Sequence, residues 1–277
     1  MSLLSTDLLR LFVSPRRVVA LRLAGLSRKS VLLKQVYKAA PGHEVDWHGA
    51  MFGLESALRE LSGGVGKLEV LVSNHFAHYQ LLMPQAGAGS LTVDEERAYA
   101  QHCFSKVFGH DADGWELRVS YERAGTPRVC CAIATDFLAA LSSRAEESGV
   151  KLVSVQPYLA AAFNQWRQQI DKRTLWFAVV EQGRLVLSRF EEGAWRWLRS
   201  VRVGRKWMED LPDLVAREQH LAGIDASLAG EVLVFCPEVA VLAVRPDSGF
   251  SIKQLQLPAR SGFSPVTDGA FGLALVG

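Results

Sequence analysis

The chain states one plan twice. Leu11-Phe12-Val13, Val18 to Leu23 and Ser30 to Tyr37 are apolar or alternating runs between turn residues, and they read as a three-stranded meander with a turn at Gly25-Leu26-Ser27-Arg28. Trp47 to Leu61 follows, with Met51, Leu54, Leu58 and Leu61 at the spacings of an amphipathic helix. Asp46 stands where a cap belongs, and Gly63-Gly64 ends the run. Lys67 to Val72 is a short apolar stretch directly after that helix, the pattern of a buried parallel strand. From Leu175 the order restarts. Leu175 to Val180, Arg184 to Glu191 and Ala194 to Val203 read as strands, with turns at Glu181-Gln182-Gly183 and Glu192-Gly193. Met208 to Leu221 is helical, Glu231 to Cys236 is a second short apolar strand, and Ser251 to Leu255 is a last one. Parallel strands need a crossover helix between them, so this repeated order predicts an α/β chain with two lobes. Asp171-Lys172-Arg173 is the polar break between them, giving lobes at 1-170 and 171-277.

The first copy carries additional elements. Asn74 to Pro84 reads as a loop followed by a strand, and Gly87-Ala88-Gly89-Ser90 as a turn. Thr92 caps a helix over Val93 to Phe108, with Glu95 at the capping-box position. Trp115 to Glu122 and Arg128 to Ala134 are strands around Gly125-Thr126-Pro127. Thr135 or Asp136 caps a helix to Ser148, Gly149 stops it, and Lys151 to Val155 is a strand. This order predicts a small α+β insert over about 90-156. Pro157 then opens a helix to about Ile170 whose apolar side is Leu159, Ala162, Phe163, Trp166 and Ile170.

Composition narrows the function classes. With 49% hydrophobic and 22% charged residues, the chain can bury a sizeable core. A net charge of +2 singles out no partner, so any basic patch must be local. The longest apolar candidate for a membrane span, Val129 to Leu141, is too short and contains Asp136. Met1 to Arg10 lacks the basic start of a signal peptide and holds Asp7. The expectation is a cytoplasmic protein that meets a membrane only through a partner. Cys103, Cys130, Cys131 and Cys236 form no CxxC pair and have no His at metal-ligand spacing, so they read as buried free thiols. Cys130 and Cys131 are adjacent in a strand and must point to opposite faces.

Two such halves, with an α+β insert in the first, resemble the actin/RNase H-like fold. Within it the chain resembles the cytoplasmic actin-like proteins of type IV pilus and type II secretion assembly: the PilM family, the MshI proteins and the cytoplasmic part of GspL. Val18 to Leu23 is similar to the second strand of PilM-like proteins, and Leu68 to Tyr79 to a GspL-like strand and loop. Ala270 to Leu275 is similar to the last PilM-like helix, and is placed so that it can pack on the first lobe.

The resemblance implies an opening hairpin that, in actin-like ATPases, carries an Asp and a Gly-rich turn holding Mg²⁺ and phosphate. Here Phe12 or Val13 stands near the Asp position, and Ser14-Pro15-Arg16-Arg17 fills the turn. The second turn keeps Glu181 and Gly183, residues a hairpin needs in any case. Pro237-Glu238 stands where an adenosine-side Gly-Gly is implied. No catalytic or metal residue is carried over, and no cofactor is expected. Ser14, Arg16, Arg17, Glu181 and Gly183 are the candidate residues of the cleft between the lobes.

Other constellations are poorer. Arg16 and Arg17 offer charge, but Pro15 removes a backbone donor and a solvated turn explains them. His75 and His78 are three apart in a loop or strand and face opposite ways, with no third ligand nearby in sequence. Ser73 and Ser154 lack a GxSxG elbow. Asp111 and Asp113 begin a cation-loop pattern that breaks off before its Glu. Trp195 to Trp207 is basic and aromatic. Alternation places Trp195, Trp197, Arg199, Val201 and Val203 on one face and Arg196 and Arg202 on the other, as an amphipathic strand or a nucleic-acid groove would.

The reading that follows is a non-catalytic actin-like scaffold docking on the cytoplasmic tail of an inner-membrane pilus or secretion protein, with self-association left open. Its rivals are a divergent ATPase or kinase using Mg-ATP, with Glu181 joined by Asp7, Asp171 or Asp268 at a metal, and a nucleic-acid module built on Arg196 to Lys206.

Overall fold

β1 (Leu8–Val13) is buried along its whole length because a core lies on each of its faces. Leu8 and Phe12 point into one core and Leu9, Leu11 and Val13 into the other, the period-two alternation of a central strand. The computed structural model describes residues 7–25, 29–42, 46–84, 92–122, 125–225, 230–245 and 249–276. The expected turns at 26–28 and at Gly87 to Ser90 lie outside them.

β1 is followed by β2 (Arg17–Ala24), β3 (Ser30–Lys38), α1 (His48–Leu61), β4 (Lys67–Val72) and β5 (Ala77–Leu82). Next come α2 (Val93–Phe108), a 3₁₀ turn at Gly109–Gly114, β6 (Trp115–Val119), β7 (Arg128–Ala134), α3 (Thr135–Glu147), β8 (Lys151–Pro157) and α4 (Tyr158–Ile170). The second half runs β9 (Leu175–Glu181), β10 (Arg184–Glu191), β11 (Ala194–Arg202), α5 (Trp207–Leu221), β12 (Glu231–Phe235), β13 (Ser251–Leu255) and a 3₁₀ turn at Gly269–Ala274.

The duplicated plan is real at the level of pairing. One sheet has the order β3-β2-β1-β4-β8 and the other β11-β10-β9-β12-β13. In each, the first strand is antiparallel to its hairpin partner and parallel to the strand after the helix, with Phe12 opposite Leu71 in one and Phe177 opposite Leu233 in the other. The two sheets turn one face each toward a shared central core, where Phe12, Val19 and Leu71 meet Phe177, Val179 and Phe235. α4 fills the middle of that core with Tyr158, Leu159, Ala162, Trp166 and Ile170. Outside, α1 and α3 cover the first sheet and α5 covers the second.

A third sheet, β5-β7-β6, packs on α2 through Phe104, Cys130 and Ala132. Its makeup differs from the sequence expectation. Lys151–Pro157 pairs in parallel with β4 and belongs to the first large sheet, whereas Ala77–Leu82 pairs with β7 in the small one. Local pattern gives the strands but not their neighbours. The Thr92–Glu95 capping box is present, while α3 begins at Thr135 without a side-chain cap.

The C-terminal segment crosses back to the first sheet. Instead of the helix expected over Ala270 to Leu275 it forms the single 3₁₀ turn Gly269–Ala274, packed against β1 and β2. Arg10 anchors it, donating to Glu69 at 2.7 Å and to the Val276 carbonyl at 3.3 Å. Asp268 pairs with Lys34 of β3 at 2.7 Å. Among the described residues no helix is long and apolar enough to cross a membrane.

Candidate functional site

The turns at the ends of β1 and β9 both adjoin the β4–β5 loop, since Ser73 donates its N–H to the Val13 carbonyl and His75 lies beside Gln182. The first closes on itself. The Ser14 N–H and hydroxyl both donate to the Arg17 carbonyl, at 3.1 and 2.8 Å. Pro15 has no N–H, so the turn presents no run of amides of the kind that cradles phosphate. Arg17 instead reaches across and pairs with Glu238, which follows β12 in the other lobe. The ion pair therefore joins the residue of the first turn to the residue standing in the implied Gly-Gly position.

Glu181, the last residue of β9, makes the second link. Its carboxylate accepts from the Ser73 hydroxyl at 2.5 Å and from the Asn74 N–H at 2.6 Å, both beyond the end of β4 in the first lobe. Asn74 extends the connection: its side-chain oxygen accepts from the Tyr79 hydroxyl at 2.6 Å and from the Leu159 N–H at 3.1 Å. One carboxylate and one amide thus tie together β9, the β4–β5 loop, β5 and the start of α4. Burial pushes the Glu181 carboxyl up to about 7, and Glu238 adds to this. The bonds from Ser73 and Asn74 and the charge of Arg184 pull the other way. Ser73 is 0% exposed, so its hydroxyl, although next to a carboxylate, is sealed from any substrate.

Around Gly183 the surface turns basic. Gly183 has φ +81°, the left-handed conformation this tight turn requires. The His75 ring lies against it, with Nε2 3.0 Å from the Gln182 carbonyl oxygen. Desolvation lowers the His75 pKa, the bond to the Gln182 carbonyl opposes it, and the charges of Arg184, Arg16 and Arg202 lower it further. Arg184 and Arg202 stand directly opposite each other on β10 and β11. His78 leaves this surface and stacks on Trp115 at 4.2 Å. The two histidines are separated as the alternation implied.

The structure brings Ser14, Arg16, Arg17, Glu181 and Gly183 to one junction, but it does not assemble the carboxylates of a metal site there. Asp7 is held by Arg22 on β2 at 2.8 Å, Asp268 by Lys34, and Asp171 caps the end of α4. Among the described residues, no three His, Cys, Asp or Glu side chains are grouped to hold a metal ion. Asp111 and Asp113 lie in the exposed 3₁₀ turn Gly109–Gly114. The basic-aromatic strand differs from its expected alternation. A bulge sets Phe190 opposite Trp195 but Arg189 opposite Trp197. Arg196 is the extra residue, so Trp195 enters the central core and Trp197 the outer core over α5. There Trp197 donates to Glu218 at 3.2 Å. Trp195 is buried and Trp197 is half-buried in these cores. Ser73 and Asn74 stand in the sequence within the GspL-like stretch Leu68 to Tyr79, but nothing in that stretch names either as a partner of Glu181.

The fold is actin-like. Over 91% of its length the chain is similar to 89% of a chain of the PilM-PilN type IV pilus biogenesis complex, with a TM-score of 0.65 and 11% identity. It is similar over 91% of its length to 90% of the cytoplasmic domain of EpsL, an inner-membrane component of the type II secretion system of Vibrio cholerae (TM-score 0.59, 12% identity). A Bacteroides thetaiotaomicron protein with an actin-like ATPase fold and unknown function matches with a TM-score of 0.53 and 10% identity, over 83% of this chain and 82% of that one. At these identities the likeness establishes the fold. No protein-family model matches the chain, and no curated protein matches it.

Proposed function

We propose that this protein is a non-catalytic actin-like scaffold of a type IV pilus or type II secretion platform, working in the cytoplasm at the inner membrane. It would dock there on the cytoplasmic tail of a membrane partner. The observation that carries this reading is the Arg17–Glu238 pair. It joins the positions that in an actin-like ATPase would face phosphate and adenosine, using side chains of opposite charge from the two lobes. Glu181 adds to it by being consumed in bonds to Ser73 and Asn74 and not turned toward solvent. A junction joined in this way is suited to hold a fixed shape, which is what an assembly platform needs from a subunit. Of the proteins similar to this chain in fold, one belongs to a type IV pilus biogenesis complex and another is the cytoplasmic domain of an inner-membrane component of a type II secretion system. The partner's tail would bind as an extended segment at the rim of the lobe junction or along a sheet edge.

The test is fluorescence anisotropy with labelled peptides copied from the cytoplasmic tails of single-span membrane proteins encoded beside this chain. The expected result is saturable micromolar binding to one of them, unaffected by Mg-ATP. Failure of every tail to bind, or turnover of Mg-ATP by the purified protein, would overturn the proposal.

A further inference from the structure

The surface around Gly183 is unusual in what it sets side by side. Arg184 and Arg202 face each other directly across β10 and β11. Opposite residues on neighbouring antiparallel strands put their side chains on one face within contact distance, and like charges there repel. By parity they lie on the same face as Val186 and Phe190, which point into the central core between the lobes. The two guanidinium groups therefore continue the inner face of the second sheet past the end of its apolar part, toward the first lobe. Arg184 is only partly exposed, and its Nε is buried with no hydrogen-bond partner. His75 comes from the first lobe, bonded to Gln182 beside the same turn, and the field at its ring includes Arg184, Arg202 and Arg16 of the β1–β2 turn. Of the nearby acids, Glu181 accepts from Ser73 and Asn74 while its charge also reaches Arg184, and Glu238 pairs with Arg17.

We infer that this basic patch, built by Arg184 and Arg202 on neighbouring strands with Arg16 nearby, is the docking point for an acidic segment of the partner protein. The inference rests on the scaffold reading above and deepens it. A carboxylate placed between two opposed guanidinium groups removes their repulsion and offers an acceptor to the buried Arg184 Nε–H. The patch lies at the end of a strand pair on the sheet face that carries Val186 and Phe190. An extended peptide can lay Asp or Glu side chains along such a strand end, and the opposed positive charges complement them.

The experiment measures binding of a fluorescein-labelled hexaglutamate peptide, and of the tail peptide that binds best, to the full chain. The variants are Arg184→Gln/Arg202→Gln and, as a control on the same strand, Arg196→Gln/Arg199→Gln. Circular dichroism and a thermal melt confirm that each variant is folded. Hexaglutamate is expected to bind weakly and to be displaced by salt. Both peptides should lose about tenfold in affinity in the first variant and little in the control. If the tail binds equally well to both variants, or hexaglutamate fails to bind while the tail does, the inference falls and the scaffold reading stands. If no tail binds to any form, the scaffold reading itself falls. Arg184-dependent binding of vesicles containing anionic phospholipid, without peptide binding, would overturn the inference in favour of a lipid surface. Arg184-dependent binding of Mg-ATP would overturn it in favour of nucleotide phosphate.

Discussion

Arg17 and Glu238 form an ion pair between the lobes, each side chain about one-quarter exposed at 24%. Arg17 opens β2 and Glu238 follows β12, so the pair spans the two copies of the duplicated plan at the mouth of the junction. Two charges that are shielded only in part gain a modest amount from each other.

Arg17→Ala or Glu238→Ala should each lower stability by about 0.5–1 kcal/mol, because the pair is only partly withdrawn from solvent. Charge exchange, Arg17→Glu with Glu238→Arg, should recover most of the loss. Urea unfolding of the single and double variants provides the cycle. Losses that simply add would show that the two side chains are not coupled.

Glu181 makes stability depend on pH in a particular direction. Burial, with Glu238, holds its carboxyl at about 7, above the ordinary value of 4.5 that it regains when unfolded. A group whose folded-state value is raised contributes stability that is complete below the unfolded value and is lost as pH rises through the folded one. The native chain should therefore weaken between about pH 4.5 and 7, by on the order of 3 kcal/mol at most from this group. Glu181→Gln should flatten that part of the profile. Glu181→Ala should cost more at every pH, about 2 kcal/mol, because the buried Ser73 hydroxyl and Asn74 N–H lose their acceptor. Thermal melts across the range test all three statements, and an unchanged profile in the Gln variant would contradict them.

Arg202→Gln should raise the melting temperature slightly, since it removes one of two like charges held directly opposite each other across β10 and β11. The gain should be about 0.2–0.5 kcal/mol. Differential scanning calorimetry at low salt is the measurement, and destabilisation would show that the guanidinium group has a favourable partner.

Gly262→Ala should destabilise strongly, by about 2 kcal/mol or more. The residue has φ +77°, and a Cβ there would overlap the carbonyl oxygen of Val31. Ser261 accepts the Val31 N–H at 2.9 Å, so this contact holds the C-terminal segment against the edge of β3. Hydrogen exchange at Val31 should quicken in the variant, and equal protection in both proteins would contradict the account.

Much of the fold is legible in the chain because it is locally encoded. The meanders follow from alternation, α1 from its three-and-four spacing, and α2 from Thr92 and Glu95. What escapes is encoded at long range. Nothing near Lys151 says that its strand will pair with β4, and nothing near Ala77 says that β5 will leave for the small sheet. The bulge at Arg196 reverses the face of Trp195 without any glycine or proline to announce it. The junction shows the same limit. Its candidate residues Ser14, Arg16, Arg17, Glu181 and Gly183 could be named from the two turns. The partners that define what they do could not, since Glu181 meets Ser73 across 108 positions and Arg17 meets Glu238 across 221.

The central claim is that side chains of the protein itself take up the positions an actin-like ATPase gives to its nucleotide. Isothermal titration of the purified chain with Mg-ATP and Mg-ADP tests it most directly. The account predicts no binding heat and no thermal stabilisation at millimolar nucleotide. Micromolar, Mg-dependent binding that disappears in Glu181→Ala would contradict it and make the junction a working nucleotide site.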